Sequence, residues 1–369
     1  MVHHNGHFHR MVKLYDPVEL EVEAVAAVVS LLNDVPALTV GDVVREANMP
    51  DRGVDFRIDF DVGGSSHILL AEVKTSGSPR TARHAIDQLI SYQSRQAAKH
   101  GNWNPALIFV APYLSPQVRE MCRDFEVNYC DLFGNARLVL PGLYINREVA
   151  ETPAAEKRDL KSLFKPKSAR VLRYLLRPGQ EPRRLGEIAE ATQVSIGQVH
   201  KLKTALLERD WIEETPDGVV VRNPDQLLDA WRSDIAPAGT RRGYYTTLHG
   251  GPLEKAVEAA VRTAGPHAAL AGRSAANWHA PWLAAGSVEL YADRTGAETL
   301  AKALALEPAP KGPNVWITVL EDDGPLMDAV DVGSGLRATS LVQTYLDLYR
   351  GGERDREAAD HLRAERLPW

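Results

Sequence analysis

The chain has 369 residues, 44% of them hydrophobic and 25% charged, with a formal net charge of −6. At roughly 150 residues per domain, two or three domains are expected, each able to bury a core. The near-average composition excludes a wholly disordered, collagen-like or disulfide-scaffold protein, and no apolar run approaches the roughly 20 residues that span a bilayer. The start, MVHHNGHFHR, has no apolar core behind its basic residue and does not read as a secretory signal. A cytoplasmic protein with no membrane partner is expected. Cys122 and Cys130 are too few and wrongly spaced for a thiolate metal site and read as buried reduced thiols. His3, His4, His7 and His9 form a terminal run without the fixed geometry that a metal site needs.

Pattern shifts divide the chain into residues 1–148, a polar linker at 149–165, a helical segment with a hairpin at 166–232, and residues 244–369. In the first segment VDFRIDFDV alternates apolar and charged residues, the period of a half-buried strand. It ends in the turn string GGSS, and HILLAEVKT follows as a second strand, so a β-hairpin is predicted. Asp55, Arg57, Asp59 and Asp61 share one face, as do Glu72 and Lys74. Pairing symmetric about the turn centre sets Glu72 near Arg57 and Lys74 near Asp55. Glu72 is expected half-exposed at its strand end.

Carboxylates and a lysine at one strand end suit phosphodiester hydrolysis. Two carboxylates and a backbone carbonyl hold Mg²⁺ through hard oxygens, while the ammonium orients water or neutralises developing charge. This order, with Gly53-Val54-Asp55 ahead of Glu72-Val73-Lys74, resembles the PD-(D/E)xK, restriction-endonuclease-like nuclease superfamily. The resemblance implies catalytic roles for Asp55, Glu72 and Lys74, with Mg²⁺ or Mn²⁺ on Asp55 and Glu72; Asp59 stands as an alternative to Asp55. Gln88 and Tyr92, four apart on the following predicted helix, are similar to the Q-x-x-x-Y element of RecB-like nucleases, which implies a site role for Gln88. Glu21 and Glu23 are two candidates for the acidic residue that the family often carries on its first helix. The alternative, a solvated sheet face with cross-strand ion pairs, carries no chemistry and needs no cofactor. Asp131, in Cys-Asp-Leu-Phe-Gly-Asn, reads first as a turn residue and second as a neighbour of the site.

In the middle segment Val171, Leu172, Leu175 and Leu176 mark a core-facing helix, LGEIAEAT a second, and SIGQVHKLKTALLERD a third, with Ser195 as its N-cap. Ile196, Val199, Leu202 and Leu206 are predicted inward, and Gln198, His200, Lys201, Lys203 and Thr204 outward. WIEETPDGVVVR completes a pattern that resembles the winged helix-turn-helix, whose third helix enters the major groove of double-stranded DNA. Gln198 would then meet a base, and Lys201 and Lys203 phosphates. Ten basic residues between Lys157 and Arg184, among them Arg170, Arg173 and Arg177, read as a polyanion footprint on an acidic protein.

In the last segment Gly272-Arg273-Ser274, followed by a strand bearing Glu289, resembles a nucleotidyltransferase-like core. Tyr291 holds the second carboxylate position, Arg273 interrupts the loop, and Asp293 lies too far along, so transferase chemistry is expected to be absent. The closing helix Ser340–Tyr349 and the run after it resemble the C-terminal region of AbiEi-type antitoxins of the type IV toxin–antitoxin class. That resemblance implies a transcriptional regulator and a nucleotidyltransferase toxin or other defence-system protein as partner; the simple antitoxin architecture lacks the nuclease-like domain. The expected fold class is multidomain α/β: a restriction-endonuclease-like domain, a winged helix-turn-helix and a nucleotidyltransferase-like α/β domain. The leading functional expectation is a DNA-binding regulator. An Mg²⁺-dependent endonuclease targeted by the winged helix comes next, and an inert scaffold of a defence system third. A homodimer would suit a palindromic DNA site.

Overall fold

The computed structural model of the chain describes residues 15–45, 53–100, 103–140, 142–179, 181–282, 286–367 and 369. The histidine run at 3–9 lies outside them. Mixed α/β structure fills two compact units: the described residues up to Leu160 with Glu208–Asp210, and Lys161–Leu207 with Trp211–Trp369. Among the described residues no helix is long and apolar enough to cross a membrane.

In the first unit the order is α1 (Pro17–Asn33), β1 (Leu38–Arg45), β2 (Phe56–Val62), β3 (Ser65–Val73), α2 (Pro79–His100), β4 (Ala106–Ala111), α3 (Pro116–Asp124), β5 (Asn128–Asp131), β6 (Ala136–Leu140) and β7 (Leu143–Arg147). Seven strands form one sheet in chain order. Its centre, β3-β4-β5, is parallel, and both flanks are antiparallel. Parallel strands need helices on their faces, and the burial pattern supplies them. Ala24, Val28 and Leu32 of α1 join Phe56, Ile58, Leu69 and Ile108 in one core cluster. Ala82, Ala85, Ile86 and Leu89 of α2 join Leu70, Phe109 and Val118 in another. The strand alternation read from VDFRIDFDV thus has Phe56, Ile58 and Phe60 buried. Cys122 and Cys130 are buried free thiols, each pushed up to about 12 by burial. The stretch read as a linker contains α4 (Ala154–Leu163).

The second unit opens with α5 (Pro166–Leu175), α6 (Leu185–Thr192), α7 (Ile196–Glu208), β8 (Ile212–Thr215), β9 (Gly218–Val221) and α8 (Pro224–Arg232). β8 and β9 pair antiparallel, and Arg183 bridges to Val219 at the hairpin's edge. There follow β10 (Gly239–Tyr245), α9 (Gly250–Ala264), β11 (Ala268–Leu270), α10 (Gly272–His279), β12 (Val288–Ala292), α11 (Arg294–Ala303), β13 (Glu307–Pro308), β14 (Val315–Leu320), α12 (Gly324–Met327), β15 (Val330–Gly333), β16 (Leu336–Ala338), α13 (Leu341–Tyr349) and α14 (Glu353–Arg366). The strands form a mixed sheet ordered β13-β10-β14-β12-β11-β16-β15. β10 begins at Gly239, ahead of the boundary at residue 244 that the pattern shifts set.

The helical segment and this sheet are one unit because α5 is fastened to the C-terminal part by arginines. Arg170 makes a paired contact with Asp322 (2.9 and 2.8 Å), and Arg177 with Asp328 (2.8 and 2.6 Å). Arg173, buried between them, donates to Gln343 Oε1 at 3.0 Å. Arg170 and Arg173, three apart, share one face of α5, and Arg177 follows just past its C-terminal end. This corrects part of the polyanion footprint: these guanidiniums are spent on carboxylates and an amide about 150 residues away. At the other end Arg363 of α14 holds Asp225 and Asp229 of α8.

Candidate functional site

The hairpin turns through Gly63 and Gly64 alone, pairing Val62 with Ser65. The expected register, centred on the whole GGSS string, is therefore off by two. Arg57 stands opposite Leu70, and Phe56 opposite Ala71, which puts Asp55 across from Glu72. Asp55 N donates to Ala71 O at 2.9 Å, and Asp55 Oδ2 accepts from Val73 N at 2.6 Å, so the carboxylate is pinned to the backbone beside Glu72. Asp59 lies farther up the hairpin, opposite Ile68, with both oxygens taken by Arg57 at 2.7 and 3.0 Å.

Glu72 is wholly buried, which corrects the expectation of a half-exposed carboxylate. The cause is position: β3 is a central strand, and its face toward α2 is roofed. Glu72 Oε1 accepts from the Lys74 ammonium, and Oε2 from Gln88 Nε2 at 2.9 Å. Gln88 also reaches Gly53 O at 3.3 Å. One turn on, the Tyr92 ring lies against Gly53, where a Cβ would sit 2.2 Å from the ring, so this close approach requires glycine. The predicted residues Asp55, Glu72, Lys74 and Gln88 thus come together around one buried carboxylate. Glu21 pairs with Arg45 at 3.7 Å, and Glu23 lines a separate depression with Asp131. Asp131 accepts from the amides of Leu114, Phe133, Gly134 and Asn135 at 2.8–3.0 Å and from the Asn135 side chain, the turn role.

Among the described residues, no group of three His, Cys, Asp or Glu side chains is gathered to hold a metal ion. Asp55 and Glu72 form a two-carboxylate set of hard oxygens, which suits Mg²⁺ or Mn²⁺ better than softer ions. Mg²⁺ ordinarily keeps several waters, so two protein carboxylates fit it without a third.

On α7, Gln198, His200, Lys201 and Thr204 are exposed. The Gln198 amide oxygen accepts from Ser195 Oγ at 3.2 Å. Lys203 departs from the expectation: its ammonium is tied to Glu214 on β8 at 2.9 Å, with the side chain 12% exposed. Ile196 is exposed rather than inward, since it starts the helix before the packed face begins.

In the C-terminal sheet Glu289 of β12 accepts from Arg273 N at 3.0 Å and from Arg241 Nη2 at 2.7 Å. Gly272 has φ +49, and a Cβ there would lie 2.0 Å from Glu289 Oε2. The carboxylate therefore fills the start of α10. Asp293 caps α11 through Gly296 N (2.7 Å) and meets His267 at 2.6 Å. Tyr291 donates its hydroxyl to Asp347 Oδ1 at 2.5 Å. Sequence reasoning missed Asp347; a lone acid inside the buried stripe of LVQTYLDLY was the available signal.

Residues 220–367, less than half of the chain, match the model of the AbiEi antitoxin family, transcriptional regulators of type IV toxin–antitoxin systems. No curated protein matches the chain. Two solved structures are similar over a part. One is a complex of EndoMS with double-stranded DNA, at 19% identity over 30% of this chain and 44% of that one, with a TM-score of 0.21. The other is EndoMS in its apo form, at 16% identity over 30% and 45%, also with a TM-score of 0.21. The chain thus covers under half the length of either structure, and a likeness at this score bears on neither fold nor activity.

Proposed function

We propose that this chain is a DNA-binding transcriptional regulator of the AbiEi antitoxin type, with α5–α7 and the β8–β9 hairpin as its winged helix. The family match over residues 220–367 carries the regulator class; it begins at the end of β9, so the winged helix rests on the elements before it. Supporting it, three helices are followed by a two-stranded hairpin, and α7 offers Gln198, His200, Lys201 and Thr204 to solvent. Gln198 suits a base edge and Lys201 a phosphate. Lys203 instead braces helix to hairpin. Exposed Glu213 and Glu214 disfavour phosphate contact by that strand, so α7 is the element that enters the groove. The partners proposed are double-stranded DNA, a second copy of the chain across a palindromic site, and a nucleotidyltransferase toxin. Gel shifts with a randomised duplex pool test it: Gln198→Ala and Lys201→Ala should weaken binding, and unchanged binding in both would exclude α7 as the reading helix.

A second reading, metal-dependent DNA cleavage by the first unit, is favoured by the register that sets Asp55 across from Glu72. Asp55 and Glu72 would hold Mg²⁺ or Mn²⁺. When bound, the ion would polarise a phosphodiester and lower the pKa of a water. Gln88 fixes the orientation of Glu72, and Lys74 supplies a cation for charge developing on the phosphate. Supercoiled and linear DNA incubated with either metal should be cut by the parent chain and left intact by Glu72→Gln. Equal cutting by both would exclude this site, and DNA shifted but never cut would leave the regulator alone.

A further inference from the structure

A cavity of about 410 Å³ opens in the C-terminal sheet, lined by Arg241, Glu289, Tyr291, Trp316, Asp347 and Arg350 among others. That volume lies in the range of small-ligand sites. Its features differ in kind. Asp347 Oδ1 takes hydrogen bonds from Tyr291 and from Gln343 Nε2 (2.8 Å), but Oδ2 is a buried acceptor with no hydrogen-bond partner. Such an atom costs free energy until a donor reaches it. Arg350 is exposed, and its charge acts on Asp347. The flat guanidinium of Arg241 lies over the Trp316 ring at 4.4 Å, giving a planar surface beside them. An acceptor, a cation and a stacking plane in one cavity complement a ligand with a hydroxyl or amine donor, an anion and a flat ring.

The cavity is also wired to the helical segment. Asp347 holds Gln343, and Gln343 accepts from buried Arg173 of α5. Arg173 Nε has no hydrogen-bond partner, so this buried chain has slack at both ends. A donor arriving at Asp347 would compete for the bonds that Gln343 shares with Arg173.

We infer that this cavity binds a nucleoside phosphate, and that its occupancy is transmitted through Gln343 and Arg173 to α5. The base stacks on the Arg241–Trp316 plane, a sugar hydroxyl or base amine donates to Asp347, and the phosphate meets Arg350. The start of α10 is not the phosphate site, because Glu289 occupies it. The consequence for DNA affinity rests on the regulator reading; the binding and its transmission do not.

The test uses the full chain without DNA. Calorimetry at pH 8 in EDTA compares AMP, ATP and GTP with adenosine and inorganic phosphate, and amide hydrogen exchange follows residues 166–175. At least one nucleotide should bind about tenfold or more tightly than adenosine or phosphate. Asp347→Asn should weaken it about tenfold, and Arg350→Ala, on an exposed side chain that folding does not need, should abolish the preference over adenosine. Ligand should slow exchange in α5; Arg173→Met, or Arg173→Leu as a second break in the chain, should bind within about threefold of the parent yet lose that slowing. No binding by any nucleotide, or binding indifferent to both cavity variants, would overturn the site. Unchanged exchange in α5 of the liganded parent, or slowing retained in both relay variants, would overturn the transmission.

Discussion

Lys74→Met removes the ammonium from a carboxylate whose side chain has no solvent exposure, whereas the lysine itself is 31% exposed. The two partners are therefore unequal. Stripping the counter-charge from a buried carboxylate typically costs about 3–5 kcal/mol. The reverse change, Glu72→Gln, keeps a group of the same shape beside Gln88 and leaves an ammonium that can turn to water, at about 1 kcal/mol. The double variant should sit near Glu72→Gln, since neutralising Glu72 removes the charge that Lys74 compensates, giving a coupling of about 3–5 kcal/mol. Opening free energies of β2 and β3 from amide hydrogen exchange measure all four corners of the cycle locally. Added Mg²⁺ should restore protection in Lys74→Met and do far less for Glu72→Gln, because only the former keeps both carboxylates, Asp55 and Glu72, charged. A Lys74→Met protein within about 0.5 kcal/mol of the parent would refute the buried pair.

Other consequences are as direct. Lys201→Ala should lower DNA affinity and reduce the salt slope by about one ion, while Lys203→Ala should leave that slope unchanged. Burial pushes the Asp347 carboxyl up from 3.8 to about 6 against the opposing pull of Tyr291, Gln343 and Arg350. The folded state then binds the proton more tightly than the unfolded one, so stability falls as pH rises from about 4 to about 6. Asp347→Asn should flatten that stretch and, at pH 8, be more stable by up to about 3 kcal/mol in denaturant titrations. Arg173→Ala should cost about 2–4 kcal/mol through a cavity and an orphaned Gln343 oxygen, with urea melts as the readout. Asp131→Ala should destabilise the first unit by a similar amount, since it strips the amides of Leu114, Phe133, Gly134 and Asn135 of their acceptor.

Much of the hairpin was legible in the chain. Alternation named the strands, and the Gln88–Tyr92 spacing marked the helix face that carries Gln88 to the site. Register was misread because Ser65 and Ser66, turn-like by composition, pair as strand residues opposite Val62 and Asp61. Burial of Glu72 was invisible because it depends on β4, whose strand pairing to β3 spans some 37 residues of chain, and on α2 above. The arginines of α5, and Arg177 just past it, misled for the same reason. A basic run looks like a polyanion footprint until its partners are seen, and Asp322, Asp328 and Gln343 are remote in sequence. Lys203 was assigned to phosphate by helical phase alone, with no means of placing Glu214 beside it.

The central claim is that α7 reads duplex DNA. Fluorescence anisotropy with duplexes selected from a randomised pool, at near-physiological salt, tests it most directly. A preferred sequence should emerge, bound far more tightly than pool DNA by the parent chain, with the preference lost in Gln198→Ala and the affinity lowered in Lys201→Ala. Binding without any preferred sequence, or a preference that survives both substitutions, would contradict the account.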